Sequence, residues 1–234
     1  MEAAAEAISV AEKFNSELGR QNFMLYTSAD SSLPNDERGR RNYRDAFTKE
    51  HWNGLEFIEA KGDRGGCQTL QQLMGPRPIA NNMSLGWKTT SVPTMEAVEM
   101  YYTKNGLPWE DDPETKDIDP YAYNAEAGTV NLHLYKEPRF YASVGYDRGT
   151  YEIDGKEITL YLRGGELHGS TLKETDEYQS CTGYLCQKWI PKASTYSIPS
   201  NSFSFYYYAY PYLRLPELYL SYAEADFEYN GSLS

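Results

Sequence analysis

The sequence predicts an α+β chain, mainly helical and irregular, and three observations carry that prediction. Both ends of the 234 residues read as helices with apolar side chains on two of three flanks. The long middle, from Gly62 to about Ser204, is rich in turn and loop residues. Within it, Asp154-Gly155 joins two short runs of strand character, the strongest short-range signal for a hairpin with a type I′ turn.

The first helix is predicted over residues 3–18. Ala4, Ile8, Ala11 and Leu18 share one flank, Ala3, Ala7, Val10 and Phe14 the next, and Glu6, Ser9 and Lys13 face water before Gly19 closes it. "DERGRRNYRDAF" (36–47) predicts a short helix carrying Tyr43 and Phe47, and "GLEFIEAKG" (54–62) an extended or buried segment. From Gly62 to Pro93 the sequence reads as loop, with "GDRGG", "GPRP" and "NNMSLGW". Thr94 is a helix cap, and the helix behind it is expected to reach about Lys104, with Met95, Val98, Tyr101 and Tyr102 inward and Asn105-Gly106 ending it.

Residues 107–120 form an acidic loop. "RFYASVGY" (139–146) alternates Phe140, Ala142, Val144 and Tyr146, a strand pattern, and the Asp154-Gly155 hairpin follows over 150–162. Polar loops are expected to about Ser204; "FSFYYYAYPY" (203–212) then reads as an apolar entry to the last helix, with Trp189 packing beneath it. Pro216 opens that helix. Leu218, Tyr222, Ala225 and Tyr229 form one stripe, Leu220, Ala223 and Phe227 a second, Glu217, Ser221, Glu224 and Glu228 the polar side, and Asn230-Gly231 the stop. A helix apolar on two sides needs neighbours on both.

Composition narrows the function. Tyrosine is in excess, with 22 Tyr beside 8 Phe and 4 Trp, and a rigid ring carrying a hydroxyl suits ligand surfaces, above all those for sugars. A net charge of −12 argues against electrostatic binding of nucleic acid or anionic lipid. The sequence contains neither a transmembrane run nor a signal-peptide core nor a lipidation motif. Cys181 and Cys186 are spaced so that they could close a small disulfide loop, free thiols being the preferred reading for them and for Cys67, and the scattered His51, His133 and His168 give no zinc pattern. The acidic loop Glu110–Asp119 lacks the glycine and closing glutamate of an EF-hand and reads as solvated charge. Neither a cofactor nor a metal is expected.

Four separated segments, in register, resemble one family. "YPYLRLPELYLSYAEADFEYNG" is similar to the R-L-A-E-x-Y-L-x-Y-A-E-A helix of the SusD/RagB family of outer-membrane nutrient-binding lipoproteins of Bacteroidetes. "SVPTMEAVEMYYTKNGLPW" resembles its P-T-x-x-x-V-x-x-F/Y helix and following N-G turn, "EPRFYASVGYDRGTY" its D-P-R-F-Y segment, and "TGYLCQKWIPK" its T-G-Y-x-x-x-K-W/Y stretch. Glu137 stands where the family has Asp, and Pro216 where it has Ala.

The resemblance implies tetratricopeptide-like helices at 1–60 and 206–234 around a loop-rich lobe at 61–205, as a fragment of a longer protein without the signal peptide and lipid-bearing cysteine. It implies capture of a glycan at the outer face of the outer membrane and its delivery to a TonB-dependent, SusC-like transporter, without catalysis. Sugar recognition needs flat apolar faces and a few amides. Trp87 with Asn81 and Asn82, just ahead of the Thr94 helix, are therefore the expected ligand contacts, with Trp109 as a further aromatic. Two alternatives are a peptide-binding member of the family and a helical-repeat interaction scaffold. An enzyme is the reading from another class: Glu110, Asp111 and Asp112 are adjacent, their side chains diverge, and no nucleophile, zinc or nucleotide fingerprint accompanies them.

Overall fold

The computed structural model of the chain describes residues 5–10, 12–13, 24–27, 30–48, 56–75, 91–164, 166, 180–197 and 202–231. Of the first predicted helix, residues 5–10 and 12–13 are helical; its other residues lie outside the described set.

Helices and strands are mixed, as expected, but the strands form five separate two-stranded ladders among the described residues, the shortest including β2 (Tyr123–Asn124) with β3 (Thr129–Val130). The ladder that closes the chain is the longest in sequence reach. Strand β1 (Phe57–Lys61) runs antiparallel to β10 (Tyr210–Arg214), pairing Phe57 with Arg214 and Lys61 with Tyr210. The Leu215 amide then donates to the Glu56 carbonyl at 2.8 Å, so β10 runs straight into the last helix.

Helix α1 (Asn35–Thr48) appears where predicted and buries Arg44, Ala46, Phe47 and Thr48. Helix α2 (Arg64–Met74) falls where the sequence reads as loop. Two glycines hide it, yet Asp63 caps it by accepting the Gly66 amide at 3.1 Å, and Cys67 and Gln71, one turn apart, are buried. Gln71 also fixes the far end of the chain, donating to the Tyr206 carbonyl at 2.9 Å and accepting from Ser194 Oγ at 2.6 Å.

Helix α3 (Met95–Glu99) has the Thr94 cap, its hydroxyl accepting the Ala97 amide, but stops five residues short of Lys104. Lys136 ends it: its ammonium takes the carbonyls of Glu99 and Tyr101 at 3.1 and 2.6 Å, which a continuing helix would have used itself. Of the four side chains predicted inward, Val98 is fully buried and Tyr101 half-buried, whereas Met95 and Tyr102 are exposed.

Residues 138–143 are helical, α4, not the predicted strand; only Val144-Gly145 is extended, as strand β4 against β7 (Leu185–Cys186). The alternation was ambiguous: Phe140 and Val144, or Ala142 and Tyr146, are also one helical turn apart, and Pro138 suits a first turn. The predicted hairpin forms between β5 (Thr150–Ile153) and β6 (Lys156–Thr159), with Asp154 at φ 56° and Gly155 at φ 68°, both left-handed as a type I′ turn requires. Behind it the supposed loops hold a further ladder, β8 (Thr195–Ser197) with β9 (Ser202–Ser204).

Two apolar clusters sit side by side. One gathers Tyr151, Ile153, Leu160, Leu185 and Ile190. The other gathers Val98, Leu132, Phe140, Val144 and Tyr184. Trp189 stacks on Tyr210 of β10 at 4.9 Å and meets Phe47 edge-on at 5.2 Å, so it packs against α1 and a strand rather than beneath the last helix.

The last helix, α5 (Leu215–Asn230), ends as predicted on Gly231 at φ 72°, whose amide caps the Phe227 carbonyl. Its first stripe is half-buried at Leu218, Tyr222 and Ala225. The second is open: Leu220 and Phe227 are 71% and 53% exposed.

Candidate ligand-binding site

Asn81, Asn82 and Trp87 lie outside the described residues. The segment that follows them is anchored: the Ser91 amide donates to the Leu73 carbonyl at 3.0 Å, and Thr182 Oγ1 to the Pro93 carbonyl at 2.7 Å. Trp109 is half-buried, and its indole N–H is already committed to the Ile118 carbonyl at 3.1 Å. Its ring meets Tyr135 edge-on at 5.8 Å and packs against the Val98 cluster. What Trp109 can still offer a ligand is apolar contact alone.

The loop around Trp109 is not simply solvated charge. Asp112 is fully buried and accepts from Thr103 Oγ1, Asn105 Nδ2 and the Glu114 amide. These donors, the Thr103 hydroxyl first, hold its carboxyl below the usual carboxylate range. The exposed large side chains nearby in sequence include Met95, Met100, Tyr102, Tyr121 and Tyr123, with Arg163 lying 5.3 Å from the Tyr123 ring centre. Exposed rings of this kind can stack on sugar faces.

A groove of about 500 Å³ opens between α1, α4 and the β5–β6 hairpin. Tyr141 and Tyr146 form its floor, with ring centres 6.1 Å apart. Tyr146 is fixed by Phe140, stacked at 5.4 Å, and by Gly149, where an added Cβ would fall 2.7 Å from the ring. Helix α1 supplies one wall, because Glu37, Arg40 and Arg41 fall one turn apart. Arg40 grips Glu37 with two 2.8 Å bonds and lies 3.5 Å from Glu152 and 3.6 Å from Glu157. Arg41 bonds Glu37 at 2.6 Å. Hydrogen bonding from Arg40 brings the Glu37 carboxyl down to about 2. Thr150 and Glu157 complete the rim. Sequence reasoning missed this groove because it joins three distant segments; the only local signal was the Glu37, Arg40, Arg41 spacing.

His133 is buried, with Nδ1 2.7 Å from Thr129 Oγ1 and Nε2 2.9 Å from the Tyr184 hydroxyl, and burial lowers its pKa to about 4. The three cysteines are free thiols. Among the described residues no three His, Cys, Asp or Glu side chains converge as a metal site. No described helix is long and apolar enough to cross a membrane.

Helices joined by short two-stranded ladders give a mixed α+β fold seen in solved structures. The selenomethionine form of BT4246 superimposes with a TM-score of 0.73 at 21% identity, over 98% of this chain and 43% of that one. A SusD-like protein (BF3747) from Bacteroides fragilis NCTC 9343 gives 0.57 at 17% identity, over 93% of this chain and 39% of that one. The SusD family model matches residues 55–233, and the chain belongs to that family. It spans less than half the length of those structures. No curated protein sequence matches it.

Proposed function

We propose that the protein is a non-catalytic glycan-binding component of a nutrient-uptake complex, working at the outer face of the outer membrane and handing its ligand to a TonB-dependent, SusC-like transporter. The observation that carries this reading is the family match over residues 55–233. The exposed tyrosines of the lobe and the net charge of −12 accord with a neutral, stacking ligand. In this reading 1–60 and 206–234 carry the tetratricopeptide-like helices, with the β1–β10 ladder between them, and 61–205 is the ligand-facing lobe. The open flank of α5, with Leu220 and Phe227, is then the side on which a neighbouring helix of the superhelix packs. Trp87 stacks on a sugar ring, Asn81 and Asn82 bond its hydroxyls, and Trp109 adds apolar contact.

Isothermal titration of the protein with a panel of oligosaccharides tests the reading. Binding without release of new reducing ends is expected, and Trp87→Ala should weaken it by about 1–3 kcal/mol. Peptides that bind where no glycan does, or the appearance of reducing ends, would overturn it.

A further inference from the structure

We infer that the groove between α1, α4 and the β5–β6 hairpin is itself a saccharide site, built from residues other than the 81–87 segment and selective for uncharged sugars. Its volume of about 500 Å³ lies within the roughly 300–1,000 Å³ usual for small-molecule sites.

Sugar hydroxyls both donate and accept, so their site must supply both kinds of group. This groove does: Arg40 and Arg41 donate, Glu37 and Glu157 accept, and Tyr146 and Thr150 can do either. Among the described residues neither the Tyr146 nor the Thr150 hydroxyl has a hydrogen-bond partner, although the Tyr146 ring is held rigidly. Two unpartnered hydroxyls beside a carboxylate, on a tyrosine floor, fit a polyhydroxylated guest.

Charge excludes the acidic alternatives. Phosphate, sulfate or uronate would need a cation in surplus, but both guanidiniums are already answered. Arg40 lies within 3.6 Å of Glu37, Glu152 and Glu157, and Arg41 bonds Glu37. The lining sets two carboxylates, Glu37 and Glu157, against two guanidiniums and so carries no surplus positive charge, on a chain already at −12. An acidic sugar would find no unanswered cation there to offset the loss of its hydration.

Saturation-transfer NMR and titration calorimetry with maltose, cellobiose, lactose, digalacturonate and glucosamine decide the matter, in the natural protein and in a Trp87→Ala background. At least one neutral disaccharide should bind, and digalacturonate should bind at least tenfold more weakly. Tyr146→Phe with Thr150→Val should lower the neutral affinity tenfold or more in both backgrounds, since two hydrogen bonds are lost. Glu157→Gln, on the exposed rim, should narrow the gap between digalacturonate and the neutral sugar. Equal or tighter binding of digalacturonate or glucosamine overturns the assignment to neutral sugars. Affinity that falls with Trp87→Ala but ignores the groove substitutions overturns the groove while leaving the proposed function standing. Absence of binding to any of the five overturns the groove assignment, while the oligosaccharide panel decides the proposed function separately.

Discussion

Arg44 and Glu152 form an ion pair inside the protein: Arg44 Nη1 lies 3.4 Å from a Glu152 carboxylate oxygen, with the two side chains 1% and 4% exposed. Arg44 Nη2 donates at 2.8 Å to the Glu152 carbonyl and at 2.7 Å to that of Ile190. One guanidinium thus joins helix α1 to the β5–β6 hairpin and to the turn after β7. Burial lowers the pKa of Arg44, opposed by Glu152; burial would raise that of Glu152, but Arg44 and Arg40 outweigh it and hold it low. The same pair sits directly behind the groove, because Glu152 also faces Arg40.

Removing one partner of this pair should be costly. Arg44→Met strips two backbone carbonyls of their donor and leaves Glu152 with only Lys192 at 3.0 Å and Arg40 at 3.5 Å. A loss of about 2–4 kcal/mol is expected, chiefly from the two carbonyls left unpaired, measured by urea denaturation. Combining it with Glu152→Gln should cost less than the sum of the single changes, because the two side chains face each other and their mutual attraction is lost only once. A loss below about 1 kcal/mol for Arg44→Met would show that the buried pair contributes little to joining these elements.

His133 predicts a pH dependence with a definite sign. Its folded pKa of about 4 lies below its ordinary value of 6.5, because burial disfavours the imidazolium. Between those values the unfolded chain binds the proton and the folded one does not. Stability is therefore unaffected by this group above pH 6.5 and falls as pH drops toward 4, by up to about 3 kcal/mol. Denaturation curves at half-unit steps read it out, and His133→Gln should flatten the slope in that window. A slope unchanged in the variant would assign it to other groups.

The elements legible in the sequence were those specified by local chemistry. Asp154-Gly155 forces a type I′ turn wherever strands flank it, and Gly231 ends α5 because it alone tolerates φ 72° there at no cost. Where two periods coincide the reading fails, as at Phe140 and Val144, which alternate and also stand a turn apart. Helix α2 was hidden because Gly65-Gly66 lowers helix propensity, and burial of Cys67 and Gln71 overrides it. The pairing of β1 with β10 spans about 150 residues and leaves no trace in either segment. For the site, Trp109 could be picked out as an aromatic in a loop, but the capture of its N–H by Ile118 depends on how residues 109–118 fold back. The groove is less legible still, for its wall, floor and rim come from 37–41, 141–146 and 150–157.

Gly145, in strand β4, lies tightly against the cluster of Tyr151, Leu160 and Leu185. A Cβ there would fall 2.8 Å from Leu160 Cδ1, 3.0 Å from Tyr151 and 3.1 Å from Leu185, all rigid core contacts. Gly145→Ala should destabilise the protein by about 1–3 kcal/mol through overpacking, seen as a lower Tm. Gly155 sits instead at φ 68° with open space around it, so Gly155→Ala costs only backbone strain, about 1 kcal/mol. Equal effects at the two sites would contradict the packing argument.

Asp112 gives the sharpest test of what the acidic loop is. Its oxygens accept from Thr103, Asn105 and the Glu114 amide, donors that a bound cation would have to displace. Calcium at millimolar concentration should therefore leave the Tm unchanged, and chelation should do the same. Asp112→Ala should strip three donors of their acceptor, release the turn from Thr103 to Thr115, and speed hydrogen exchange at the Glu114 and Thr115 amides more than in α1. Asp112→Asn, which keeps an acceptor of the same shape, should fall between the two. Because the folded carboxyl titrates below its ordinary value, this stabilisation is present above about pH 4 and lost as pH falls through the lowered pKa. A calcium-dependent rise in Tm that vanishes in Asp112→Asn would instead make this loop a cation site.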